Sequence, residues 1–151
     1  METVITSSSL PHAARNPQGH WRRSAAAVLA GLVAIVTTHT GSDAILHALG
    51  VYPPAGQVMC GGLFVLALSY RLVLSVLGCG LTARLAPTRP LRHALILGGL
   101  GTLGSLAGLV ATLGRGPEFG PTWYPLALAA TSLPCAWLGA KLFGPRVAVS
   151  S

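Results

Sequence analysis

The sequence predicts an all-α membrane protein: four transmembrane helices in an up-down bundle, with the N-terminus and C-terminus both cytoplasmic. Three observations predict it. Charged residues make up 9% of the chain against 52% hydrophobic, whereas soluble domains carry roughly 25% charge. The apolar residues gather into four runs of roughly 20–26 residues, and about 20 suffice to cross the hydrocarbon core of a bilayer. Basic residues collect at one set of run ends, the pattern that orients membrane proteins. In lipid the backbone must satisfy its own N–H and C=O groups, so isolated runs of this length are helices rather than strands.

Residues 1–20 are polar, rich in Ser, Pro and Asn, and lack a hydrophobic period, which reads as a disordered cytoplasmic tail. The transmembrane domain is expected over residues 21–144. Trp21-Arg22-Arg23 opens its first helix, about residues 24–49. That run outlasts the apolar core of a signal peptide, and no Ala-x-Ala site follows in the right place, so an uncleaved helix is expected. Its first half, Ala25 to Val36, is apolar; its second half carries Thr37, Thr38, His39, Thr40, Ser42, Asp43 and His47. Gly50-Val51-Tyr52-Pro53-Pro54 is a strong turn signal.

The second helix is expected over residues 58–83, with Arg71 as its one internal charge, and a short basic loop follows over residues 85–90. The third, about residues 93–113, has no full charge. A Gly- and Pro-rich loop over 114–121 leads to the fourth, about residues 123–142, with Pro125 near its start and Pro134 inside it. Residues 145–151 form a second cytoplasmic tail. Arg15, Arg22, Arg23, Arg84, Arg89, Arg92, Lys141 and Arg146 fall on one side of these spans and only Arg115, beside Glu118, on the other. The positive-inside rule then puts both tails and the middle loop in the cytoplasm, with Trp21 at the inner interface and Tyr52, Trp123 and Tyr124 at the outer. Arg22-Arg23 and Arg92-His93 each precede a helix, and Ala30-Gly31-Leu32-Val33 recurs as Ala107-Gly108-Leu109-Val110. A repeat of the two hairpins would be parallel, although low-complexity apolar sequence also produces such matches by chance.

Several function classes are disfavoured. The net charge of +7 forms no stripe with interleaved aromatics, so no nucleic-acid partner is expected. Cys60, Cys79 and Cys135 are odd in number and lack CxxC spacing, which argues against a disulfide framework or zinc site. The glycines of the third helix sit in an apolar span with no Lys-Ser/Thr after them, so they are no phosphate loop. No nucleophile pattern or cofactor motif is present, and neither enzymatic activity nor a cofactor is expected.

The informative residues are the ionisable ones inside the spans. His39, Asp43 and His47 are spaced i, i+4, i+8 and share one helix face. Their types suit a divalent metal, but one straight helix rarely aims three ligands at one ion, and no metal is expected. A carboxylate costs roughly 2.5–3.5 kcal/mol at the centre of a membrane helix on insertion scales, so Asp43 should face protein or a watery cleft. Arg71 is its natural partner, although counting 1.5 Å per residue from the turns puts the two about 12 Å apart in height. The expectation is a polar cluster of His39, Asp43, His47, Tyr70 and Arg71 that fixes the register of helices one and two, with a proton or ion pathway as the alternative role. On helix two Arg71, Ser75, Cys79 and Thr82 share a face, which reads as a packing stripe. In helix three, Gly104-x-x-x-Gly108 and Gly101-x-x-x-Ser105 are small-xxx-small patterns, so Gly101, Gly104, Ser105 and Gly108 are expected to pack a neighbouring helix, of the same chain or of another.

The stretches running from Asp43 to Pro54, Tyr70-Arg71, Leu81 to Pro87 and Trp123-Tyr124-Pro125 resemble small bacterial integral membrane proteins of an uncharacterised four-helix type. The likeness covers roughly residues 22–142. It implies the four-helix architecture and a bacterial inner membrane, and no activity. Four short helices leave little room for an enclosed cavity in one copy. The expected function is therefore a structural or accessory component of the cytoplasmic membrane. The alternative is a transporter or channel subunit that builds its path by oligomerising. The partners expected are the lipid bilayer and either further copies of the chain or a larger membrane protein.

Overall fold

The computed structural model describes residues 17–54 and 56–145. It contains four long helices, α1 Pro17–Ala48, α2 Gly61–Leu85, α3 Pro90–Thr112 and α4 Trp123–Phe143, and a short 3-10 turn at Pro117–Phe119 before α4. Each long helix is long and apolar enough to cross a membrane. The shortest, α4, has 21 residues, about 31 Å at 1.5 Å per residue, which matches a hydrocarbon core of roughly 30 Å.

The ends differ from the sequence expectations in instructive ways. Helix α1 starts at Pro17, not at residue 24, so the tail expected over residues 1–20 overlaps its first turn; residues 1–16 lie outside the described residues. Proline suits a first helical position because its missing N–H has no intrahelical partner there. Once a helix is nucleated, each further residue adds one bond at little cost, so polar residues extend it without any hydrophobic period. Helix α3 likewise starts on a proline, Pro90, after Arg89 in a left-handed conformation at φ 47°. Helix α2 begins at Gly61, three residues later than expected, which leaves Cys60 in the loop instead of in a span. Arg15, Arg146 and most of the C-terminal tail also fall outside the described residues. Pro134 is accommodated within α4. The Thr131 hydroxyl does not meet the carbonyl Pro134 frees, but donates to Ala127 O at 2.6 Å.

The helices meet through small residues. Gly31 of α1 abuts Gly78 and Thr82 of α2, while Asp43, further along α1, meets Tyr70 and Arg71, earlier in α2. Contacts between α1 and α2 thus run in opposite chain directions. Gly139 of α4 lies against the α2 backbone at Val76 and Gly80, and Arg84 Nε donates to Phe143 O at 2.9 Å. On α3, Gly98 meets Ser132 and Ala136 of α4, and the Thr102 hydroxyl reaches Ala129 O at 3.3 Å. Helix α4 packs most extensively on α2 and α3, and α1 packs on α2 and only slightly on α3.

The core is made of Cys79, Ala83, Ala94, Leu97, Ala136 and Ala140, while large side chains such as Val33, Val73, Leu103 and Val110 stand 60–69% exposed. A water-soluble bundle would do the reverse. When lipid is the solvent, burying leucine gains nothing, and close van der Waals approach between small residues holds helices together. This core is confined to the end of the bundle near Arg84 and Arg89. Towards the other end α3 draws away, while α2 stays against α1 at Asp43 and against α4 at Tyr124.

Candidate functional site

The polar half of α1 and the middle of α2 meet at the level where α3 begins to draw away. Tyr70 and Arg71 are successive residues, about 100° apart around α2, and they straddle Asp43 of α1. The Tyr70 hydroxyl donates to one Asp43 carboxylate oxygen and an Arg71 guanidinium N–H donates to the other. The two charges form a direct ion pair. His39, one turn before Asp43, donates through Nε2–H to the backbone carbonyl of Arg71 at 3.2 Å. That bond leaves Nδ1 unprotonated in the neutral ring.

The sequence arithmetic placed Asp43 and Arg71 too far apart because it counted the depth of Arg71 from Gly56, five residues before α2 begins. In fact the loop folds back. Gly50 adopts φ +70°, the left-handed conformation that ends helices. Val51 N and Tyr52 N then both donate to Leu46 O, at 3.0 and 3.1 Å. Helix α2 begins only at Gly61, after this loop. Arg71 lies ten residues inside α2 and Asp43 five residues inside α1, a height gap of about 7.5 Å at 1.5 Å per residue, which a long arginine side chain spans.

The same fold-back brings in a residue that sequence reasoning placed at the membrane interface. Tyr52 is 5% exposed, and its hydroxyl donates to the Tyr70 hydroxyl at 3.3 Å. The relay therefore runs from Tyr52 to Tyr70 to Asp43. His47 joins only through its ring, packed edge-on to Tyr52 at 5.4 Å between centroids, and it is otherwise exposed. Tyr124 of α4 was also assigned to the interface, yet Arg71 sits over its ring at 5.8 Å. Phe64 packs beside that ring at 5.2 Å. A cation over an aromatic face is attracted by the ring quadrupole, so Tyr124 ties the cluster to a third helix. Nothing in the sequence distinguishes these two tyrosines from ordinary interfacial ones. Among the described residues, no three His, Cys, Asp or Glu side chains converge as a metal site would require.

Beside the cluster lies a cavity of about 420 Å³ lined by all four helices. His39 and Arg71 stand on its wall at one end and Cys79, Leu97 and Cys135 at the other. It is a half-open cleft rather than an enclosed cavity. Of the α3 small residues expected to pack a neighbouring helix, Gly101 does so within the chain, and Gly104 and Gly108 do not. A Cβ added at Gly98 would stand 2.7 Å from Ala136 Cβ, and one at Gly101 would stand 3.2 Å from Ser132 Oγ. At Gly104 or Gly108 it would meet nothing within 4 Å. The close approach of α3 to α4 thus falls one turn earlier than the motif suggested. Gly104, Ser105 and Gly108 line the cavity instead, because α3 has already diverged from α4 at their level. On α2, Ser75 and Cys79 also face the cavity, while Thr82 is fully buried against Gly31 and bonds back to Gly78 O at 3.3 Å.

No protein-family model, curated protein or solved structure matches the chain.

Proposed function

We propose that the chain is a non-enzymatic structural or accessory protein of the bacterial cytoplasmic membrane, crossing it four times as an up-down bundle with both ends in the cytoplasm. One observation carries the functional part. Asp43 is the sole acidic residue in the four long helices, and both of its carboxylate oxygens are engaged, by Arg71 and by Tyr70. A carboxylate neutralised in this way holds α1 to α2; it is not free to take up and release ions.

The sidedness is supported by charge. Arg22, Arg23, Arg84, Arg89, Arg92 and Lys141 belong to one end, and Arg115 to the other. The bond from Arg84 to Phe143 O draws the α2 and α4 ends together there. The reading is tested by reconstitution into proteoliposomes and by mild-detergent purification. An accessory protein shows no proton or ion flux and brings down a larger membrane protein.

The cavity favours a second reading, an oligomeric transporter or channel subunit, since His39 and Arg71 stand on its wall. On that reading the reconstituted protein conducts, and Asp43→Asn abolishes the flux while the bundle still folds.

A further inference from the structure

We infer that the cavity is a binding site for a neutral lipophile, a hydrocarbon chain ending in a carbonyl oxygen, which enters sideways from the bilayer between α1 and α3. The inference rests on the membrane reading of the four helices and is independent of the accessory role.

The entrance follows from which wall residues are exposed. They are Val36 on α1 and Leu100, Gly101, Gly104 and Gly108 on α3. Helices α1 and α3 touch only slightly, near Gly31 and Leu97, so beyond that crossing nothing closes the gap. Glycine at 104 and 108 keeps the α3 side of the opening free of side-chain bulk. The medium at that depth is hydrocarbon.

The contents follow from the walls. A volume of about 420 Å³ lies within the 300–1,000 Å³ typical of ligand sites, which are mostly apolar with a few placed polar groups. It equals roughly fourteen waters at ~30 Å³ each. Most of the lining is apolar, with His39, Arg71, Ser75, Ser105, Thr131 and Ser132 as its polar residues, and the opening gives onto hydrocarbon rather than water. A hydrocarbon chain is the occupant that both wall and surroundings favour.

The polar end follows from charge and donor counting. Arg71 is already neutralised by Asp43. A ligand carboxylate would compete with Asp43 and leave one negative charge unmatched in hydrocarbon, which is costly; the head is therefore neutral. A guanidinium has five N–H donors and no acceptor, and among the described residues Asp43 engages only one of the two terminal nitrogens of Arg71, which leaves N–H donors of the other without an acceptor. The head therefore supplies an oxygen. An ester and a quinone both answer this description.

The test uses full-length protein in mild detergent, titrated with methyl palmitate and, separately, with a decyl-substituted benzoquinone, bound probe being counted by native mass spectrometry. Gly104→Leu puts a side chain into the cavity at a position where an added Cβ meets nothing within 4 Å, and Gly108→Leu repeats the test if the first variant does not fold. Gly99→Leu is the control: Gly99 also meets nothing within 4 Å but does not line the cavity. At least one probe should bind the wild type and the control, and bind Gly104→Leu at least tenfold more weakly. Whichever probe binds identifies the head as ester or quinone. Equal binding by Gly104→Leu and Gly99→Leu, or no binding of either probe to the wild type, overturns the proposal. So does palmitate binding at pH 8 as tightly as its methyl ester, because a charged head would then be accepted. A wild-type dimer that Gly104→Leu dissociates also overturns it, because the opening would then be an interface between copies.

Discussion

Gly31 of α1 and Gly78 of α2 lie face to face: a Cβ added to Gly31 would stand 2.9 Å from the Gly78 carbonyl oxygen and would overlap the Thr82 hydroxyl. Thr82 is fully buried and Gly78 O is backbone, so neither neighbour yields easily. Gly31→Ala should destabilise the bundle by about 2 kcal/mol, the usual cost of overpacking. Gly41→Ala, further along the same helix, meets nothing within 4 Å and should be neutral or stabilising by up to about 1 kcal/mol, from helix propensity. Unfolding titrations with sodium dodecyl sulfate in mixed micelles measure both.

Gly139 gives a sharper contrast with the glycines that the small-xxx-small motif emphasised. A Cβ at Gly139 would collide with the Val76 carbonyl and stand 2.8 Å from Gly80 N, both α2 backbone. Gly139→Ala should cost about 3 kcal/mol, at the upper end of overpacking, because helix backbones move only together. Gly108→Ala should be neutral or slightly stabilising. Equal losses at the two positions would show that α3 packs through Gly108 after all. The same unfolding assay reads them.

How much of this was legible beforehand depended on how rare each signal is. The four helices were legible because hydrocarbon imposes both a length and an absence of charge, and little else in the chain satisfies both. The membership of His39, Asp43, Tyr70 and Arg71 was legible for a related reason: ionisable groups in spans are few, and each must find a partner. Glycine carries no such rarity in α3, where Gly98, Gly99, Gly101, Gly104 and Gly108 surround the helix. Which of them meets α4 depends on where the two axes diverge, and that is a property of the whole bundle. The packing of Tyr52 and Tyr124 against the cluster was not legible, because an interfacial tyrosine and one that packs inside the bundle look the same in sequence. Only the fold-back at Gly50 decides the matter for Tyr52.

The Asp43–Arg71 pair invites a double-mutant cycle. Removing one partner strands the other charge away from water, so Asp43→Leu and Arg71→Met should each destabilise by about 3 kcal/mol. The double variant should recover to within about 1 kcal/mol of wild type, since apolar replacement of a whole pair is often neutral. The charge swap, Asp43→Arg with Arg71→Asp, should also recover part of the loss. A double variant no better than either single one would mean that the two residues stabilise the fold through other contacts.

The tyrosine relay predicts a graded series. Tyr70→Phe removes a hydrogen bond to a carboxylate and should cost about 1.5–3 kcal/mol. Tyr52→Phe removes a longer bond between two neutral hydroxyls and should cost about 0.5–1.5 kcal/mol. Because Tyr52 acts through Tyr70, the two losses should not add: the Tyr52→Phe change should cost almost nothing in a Tyr70→Phe background. Additive losses would break the relay into separate contacts.

The native cysteines report sidedness. Cys60 is exposed in the loop before α2, whereas Cys79 and Cys135 are buried. If both termini are cytoplasmic, Cys60 faces outward. A membrane-impermeant maleimide should then label the wild type in spheroplasts, and Cys60→Ser should abolish that labelling. Placing a single cysteine at exposed Thr88, in the loop between α2 and α3, within the Cys60→Ser background should restore labelling only after the membrane is permeabilised. The two sites stand at opposite ends of α2, so one membrane separates them whenever α2 spans it. Reversed labelling would invert the chain without disturbing the spans. Labelling of both sites in intact spheroplasts would mean that α2 does not cross the membrane, and the lateral entry into the cavity would lose its basis.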